Sequence, residues 1–202
     1  MRRYFLFLAV IAGLLAGCGK FSQQKAIAIV NSGAVNADVI EQIRSFVEKE
    51  LKVIVRSTED MQLASAGNVD AAMTLAQKIR GEGDVIFIAV TAIPESEDHL
   101  TVDTETRTAI VNVEPLKTDD AQKFERRIER QVMRAAAFAV GLAPTPDPYC
   151  VTRDYSSLED LDRMGRNFSP PWQGRFAGEV EKLGLTAPEA DACKGGVCPF
   201  KK

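Results

Sequence analysis

The sequence predicts an α/β domain with a mixed sheet of about five strands, two helices upstream, one long helix and smaller C-terminal helices. Three observations support this prediction. Short apolar runs alternate with segments whose apolar residues recur at helical spacing. The run over residues 85–90 contains no polar residue, as expected for a central strand that is buried on both faces. The resulting order β-α-β-α-β-β-β-α is typical of a single α/β layer structure.

The individual elements follow from the local pattern. Strands are predicted at residues 26–30, 53–55, 85–90, 100–102 and 109–113. Upstream helices are predicted over residues 39–51 and 63–79, and shorter C-terminal helices over 158–164 and 175–183. The longest helix has Asp119 as its predicted cap and an apolar stripe from Phe124 to Leu142. Gly141 is predicted to end this helix, and the three prolines that follow cannot continue it.

The N terminus has the pattern of a secretory signal. Arg2 and Arg3 precede about a dozen apolar residues without a charge, which matches a basic region and an apolar core. The run is too short for a transmembrane helix, which needs roughly 17 to 25 residues. It ends at Leu15-Ala16-Gly17-Cys18, which resembles the lipobox of bacterial lipoproteins.

This resemblance implies that residues 1–17 are a signal peptide and that Cys18 becomes an acylated N terminus, with chains such as palmitate. The membrane would then be the first partner, and residues 18–25 a tether to a domain over 26–186. The expected location is the cell envelope, facing the periplasm or the exterior. Gly19 and Lys20 after the cysteine favour the outer membrane if the host is Gram-negative. A plain signal peptide that leaves Cys18 free is the alternative.

Charge and cysteine content bear on the partners of the protein and on its disulfide bonds. Without Arg2 and Arg3 the chain keeps 23 basic and 28 acidic residues, and no basic, aromatic-rich stretch suggests nucleic acid as a partner. Residues 187–202 form a polar tail that contains Cys193 and Cys198. In an oxidising compartment a disulfide between these two is expected, with Cys150 as an alternative partner of either.

From Phe124 to Arg175 the sequence resembles the archaemetzincins, zinc peptidases of the metzincin clan. That family has a long helix with the motif H-E-x-x-H-x-x-G-x-x-H, followed by a cysteine, a C-x-M step and a C-x-x-C pair. The long helix ending at Gly141, Cys150 at the C-x-M step and the acidic stretch near Asp160 carry the resemblance. It implies a metzincin-like position for the long helix beside the sheet.

The chain departs from the family at every catalytic position. With Gly141 as the fixed point, the three zinc-binding histidines fall on Arg134, Phe138 and Pro144, and the catalytic glutamate falls on Ala135. Zinc catalysis needs three ligands, an open position and a base, so the resemblance implies a pseudoenzyme without metal, cofactor or catalytic residues. If the helix is instead an ordinary core helix, Arg134 is expected to be solvated.

The sequence therefore predicts a membrane-anchored, non-catalytic domain with a binding or envelope-structural role. Possible partners are a peptide or an envelope protein. The alternative is an active hydrolase or peptidase that uses a site without a recognised motif. His99 is the only histidine in the chain, and the polar residues around it predict a solvated loop position.

Overall fold

Five strands form one mixed sheet in the computed structural model, which describes residues 24–185. They are β1 (Ala26–Asn31), β2 (Val55–Glu59), β3 (Asp84–Thr91), β4 (Leu100–Asp103) and β5 (Thr108–Asn112). The order across the sheet is β2-β1-β3-β5-β4, with β4 antiparallel to β5 and the other pairs parallel. The predicted fold class is confirmed, and the apolar strand β3 lies at the centre of the sheet.

Helices cover both faces of this sheet. They are α1 (Ala37–Leu51), α2 (Val69–Ile79), α3 (Ala121–Ala139), α4 (Leu158–Arg163) and α5 (Pro170–Lys182). Successive strand residues point to opposite faces, so Ile86 and Ile88 belong to the larger core with α1 and α3, whereas Phe87 and Ala89 belong to the smaller core with α2. The long helix α3 therefore lies on the larger core, next to the β4 edge.

Several predicted boundaries were wrong, each for a local reason. Strand β2 was predicted at 53–55 but occupies Val55–Glu59, because an edge strand that is paired on one side tolerates polar residues. The predicted helix 63–79 is split into a 3₁₀ turn and α2, since Gly67 and the cap Asn68 intervene. The cap of α3 is Asp120 rather than Asp119, and its side chain accepts from the Lys123 amide.

The start of the last helix was also placed too late in the sequence. Helix α5 begins at Pro170 instead of residue 175, because proline lacks only a donor that the first helical turn leaves unused.

Other predictions concern parts of the chain outside residues 24–185. These are the signal peptide, Cys18, most of the tether, and the tail with Cys193 and Cys198. Within the described range, no helix is both long and apolar enough to cross a membrane.

Candidate functional site

Helix α3 buries three arginines on one face. Arg127, Arg130 and Arg134 are only 6%, 6% and 7% exposed. Their spacing of three and four residues places them in one row along the helix surface. The opposite, apolar stripe packs on the sheet, and the chain that follows α3 folds back over the arginine row. Arginines are almost never this buried without partners. The contacts of each arginine therefore show whether it stabilises the fold or keeps donors free for a ligand.

The first two arginines are fully engaged by protein groups. Arg127 pairs with Asp162 through two hydrogen bonds of 2.8 and 2.7 Å and donates a third to the Leu116 carbonyl. The hydrogen bond from Arg127 lowers the pKa of the Asp162 carboxyl. Arg130 donates to the backbone carbonyls of Met164 and Asp162. These contacts hold α4 and the following segment against α3.

Arg134 has a different environment. Its Nη1 donates to the Val151 carbonyl at 3.0 Å and to the Arg153 carbonyl. The guanidinium also lies over two aromatic rings, 4.9 Å from the centre of Phe138 and 5.0 Å from that of Tyr155. Its Nε is buried without a hydrogen-bond partner among the described residues. Burial lowers the pKa of the guanidinium, which is the expected effect of removing a charge from water.

A short polar chain adjoins this guanidinium. The Tyr155 hydroxyl lies 2.6 Å from Nδ1 of His99 and accepts a hydrogen bond of 2.7 Å from Nε2 of Gln131. The hydroxyl then has its proton free for the imidazole, which fixes Nδ1 as an acceptor when His99 is neutral. Burial, and next the charge of Arg127, lower the pKa of His99. Oε1 of Gln131 is buried and has no described partner.

These groups line a cleft of about 460 Å³ beside the antiparallel edge strand β4. We call it the Arg134 cleft. Its walls come from β4, the segment before it, α3 and the loop that follows α3. The apolar part of the lining is Leu100, Val102 and Phe138, and the acidic part is Glu97, Asp98 and Asp154.

The positions singled out by the sequence take different places in the structure. Arg134 and Phe138 both line the cleft. Ala135 is completely buried in the larger core, and Pro144 is exposed in the loop after α3. The expectation of a solvated Arg134, which an ordinary core helix would give, is therefore wrong.

His99 was also misjudged from the sequence. It is half-buried at the cleft instead of solvated, because Tyr155 packs parallel to it at a centroid distance of 5.7 Å. Neither Tyr155 nor Gln131 was identified from the sequence. The contact joins residues 56 positions apart, and no local pattern signals it.

Cys150 is buried completely behind this loop. Its sulfur lies 3.1 Å from the Thr152 hydroxyl and accepts a hydrogen bond from the Ser169 amide at 3.3 Å. The first contact lies within the loop after α3, and the second ties this loop to the start of α5. The predicted alternatives for disulfide pairing involve Cys193 and Cys198, which lie outside the described residues.

The side chains in this cleft do not fit a zinc ion. Zinc sites in proteins use histidine, cysteine or carboxylate ligands around the metal, whereas position 134 holds a cation and position 138 an aromatic hydrocarbon. Over residues 24–185, no group of three or more histidine, cysteine or acidic side chains has the geometry to hold a metal. The cleft offers hydrogen-bond donors, aromatic faces, three carboxylates and one buried amide oxygen without a described partner.

The fold is thus an α/β fold with a mixed sheet and a cleft beside its antiparallel edge strand. No protein-family model and no curated protein sequence matches the chain. Solved structures do match, and they include two archaemetzincins and a zinc-dependent peptidase.

The archaemetzincin of Methanopyrus kandleri is similar with a TM-score of 0.65 at 17% identity, over 80% of this chain and 98% of that one. The archaemetzincin of Archaeoglobus fulgidus, in complex with malonate, gives 0.57 at 15%, over 74% and 99%. A zinc-dependent peptidase from Methanocorpusculum labreanum gives 0.59 at 13%, over 75% and 99%. The chain thus has an archaemetzincin-like fold.

Proposed function

We propose that this protein is a lipid-anchored envelope lipoprotein whose archaemetzincin-like domain binds a ligand in the Arg134 cleft and does not hydrolyse peptides with zinc. The observation that carries the proposal is the buried guanidinium of Arg134. With Gly141 as the fixed point, the family resemblance puts the first zinc-binding histidine at this position, and the charge of a buried guanidinium repels a divalent cation. Ala135 offers no base, and Phe138 no ligand atom.

The same cleft remains suited to binding. Strand β4 pairs with β5 on one side, and no other described strand pairs with it. An extended peptide could add to such an edge through main-chain hydrogen bonds while its side chains enter the cleft. One of the similar structures is a zinc-dependent peptidase, so a peptide is also the ligand class that fold analogy supports.

Metal content and cleavage test the non-catalytic role. The full chain, purified in detergent and dialysed against zinc, should contain no stoichiometric zinc by elemental analysis and should leave a mixed peptide library intact. A four-residue variant, Arg134→His with Ala135→Glu, Phe138→His and Pro144→His, provides the matched comparison. Zinc in the variant alone would support the register. Stoichiometric zinc together with cleavage by the unmodified chain would contradict the proposal.

The alternative of a hydrolase with an unrecognised site has a simple signature. Zinc-independent cleavage that disappears in His99→Asn would establish it, because this histidine is the only one in the chain.

Two cysteine variants test the anchor. Cys18→Ser should abolish incorporation of labelled palmitate and release the protein from the membrane fraction of a bacterial host. Cys193→Ser is the matched control, because it also removes one thiol but leaves the lipobox intact, and it should remain membrane-bound. Palmitate incorporation that is unchanged in Cys18→Ser would contradict the assignment.

A further inference from the structure

We propose that the Arg134 cleft binds the C-terminal carboxylate of a peptide, with the Arg134 guanidinium as its receptor. This inference rests on the proposed binding role of the cleft and adds the chemical group that is recognised.

The first argument is the missing counter-ion of Arg134. Among the described residues, Arg127 pairs with Asp162, and Arg166 with Glu129, at 2.6 to 2.7 Å. Arg134 is as buried as Arg127, yet no described carboxylate lies within 4.0 Å of it. A buried charge without a partner is costly, and a carboxylate is the partner that matches a guanidinium best.

The second argument is the unused part of this guanidinium. A guanidinium carries five N–H donors, and Nη1 uses its two on the carbonyls of Val151 and Arg153. Nε and Nη2 have no hydrogen-bond partner among the described residues, and the side chain lines the cleft. Nε is enclosed, so Nη2 is the donor that a carboxylate in the cleft can reach, through a charge-assisted hydrogen bond. Phe138 and Tyr155 hold the guanidinium plane in place from its faces.

A third feature selects a peptide end over a bare anion. Gln131 is completely buried, gives its amide N–H to Tyr155, and keeps Oε1 without a described partner. It lies one turn before Arg134 on the same helix face. The last residue of a peptide carries a carboxylate and an amide N–H only a few bonds apart. A peptide end therefore carries a donor for this enclosed acceptor beside its carboxylate, which acetate does not, and the donor reaches Oε1 only when the cleft wall moves.

The remaining lining sets the preference for the rest of the ligand. Leu100, Val102 and Phe138 give an apolar wall for the last side chain. The acidic residues Glu97, Asp98 and Asp154 line the same cleft and oppose negative charge, so Arg134 offsets one carboxylate and a second is disfavoured. The peptide is expected to end in an apolar residue and to be neutral or basic before it.

Calorimetric titration of the full chain in detergent tests the inference with three probes. They are acetyl-Ala-Lys-Ala-Phe with a free C-terminal carboxylate, the same peptide as its C-terminal amide, and sodium acetate. The free acid should bind at least tenfold more tightly than either of the others. Arg134→Met should remove this difference. Arg130→Met is the matched control, since it removes an equally buried arginine of α3 that lies outside the cleft, and it should bind within about twofold of the unmodified chain.

The outcomes that overturn the inference are distinct. Equal binding of acid and amide, no binding of either, or unchanged binding in Arg134→Met would each overturn carboxylate recognition. Acetate that binds as tightly as the peptide would overturn the assignment to a peptide. The comparison of acid with amide uses the unmodified chain, so it decides the question even if Arg134→Met does not fold. A zinc-loaded, peptide-cleaving protein would instead contradict the non-catalytic role, which is a separate result.

Discussion

Arg127 and Arg134 lie two turns apart on the same face of α3 and are buried to nearly the same extent, but only Arg127 has a carboxylate partner. Around Arg127 the surface is closed by Asp162 and the Leu116 carbonyl. Around Arg134 it opens into a cleft with two aromatic rings and unsatisfied polar atoms. The part of α3 around Arg127 therefore holds neighbouring segments together, whereas the part around Arg134 has the features of a binding site.

The largest expected effect contrasts the two arginines directly. Arg127→Met strands the Asp162 carboxylate and should lower the free energy of unfolding by about 3 kcal/mol. Arg134→Met removes an unpaired buried charge but leaves the Val151 and Arg153 carbonyls without this donor, so the two effects offset and the net loss should be only about 1 kcal/mol. Urea unfolding followed by circular dichroism measures both. Equal losses in the two variants would show that Arg134 is as structural as Arg127.

The hydroxyl of Tyr155 provides the next test, because it supports the cleft from the side. Tyr155→Phe leaves Nε2 of Gln131 and Nδ1 of His99 without their partner, so it should cost about 1 to 2 kcal/mol. Tyr149→Phe removes the hydroxyl of a tyrosine that is 82% exposed and should leave stability unchanged. If both variants unfold at the same urea concentration as the unmodified chain, the polar chain at the cleft contributes no stability.

The two regions also differ in how much of their structure could be predicted from the sequence. The fold class and the central strand follow from periodic apolar residues, which record burial along each element. The bounds of strand β2 could not be predicted from this pattern, because only its first residue is buried. Its position at the sheet edge allows the other residues to be exposed to solvent in part. Gly141 was recognisable as a helix end because a left-handed residue there is a local requirement.

The cleft could not be read in this way. Arg134 has the sequence pattern of a solvated residue, and its burial depends on carbonyls 17 and 19 residues later in the chain. His99 joins the cleft from a segment 35 residues before Arg134. Contacts of this kind depend on how the loops fold over the sheet, and no spacing along the chain records them. A family resemblance pointed to position 134, but it did not reveal the guanidinium's surroundings.

A smaller effect is expected at the end of α3, where the chain turns from the helix towards the loop that holds Arg134. Gly141 has φ +81°, and a Cβ would meet no atom within 4 Å, so Gly141→Ala costs only backbone strain of about 1 kcal/mol. Gly174→Ala, in the interior of α5 and equally free of contacts, should instead stabilise by about 0.5 to 1 kcal/mol. Thermal unfolding of both variants gives the two signs, and a gain for Gly141→Ala would contradict the left-handed turn.

The smallest expected effect is the pH dependence of stability that His99 causes. The charges of both arginines act on this imidazole. Burial lowers its pKa in the folded state, so the unfolded chain takes up the proton first as pH falls below about 6.5, and stability decreases there. His99→Asn should remove this part of the pH dependence while keeping an acceptor for the Tyr155 hydroxyl.

The single imidazole can also be titrated directly by NMR. The charges of Arg127 and, to a smaller degree, Arg134 lower the pKa of His99. Arg127→Met should therefore raise this pKa more than Arg134→Met does. A carboxylate bound at Arg134 should raise it as well, because it offsets the charge of the Arg134 guanidinium, and the effect should be absent in Arg134→Met. A peptide acid that binds without moving this titration would place the ligand away from Arg134.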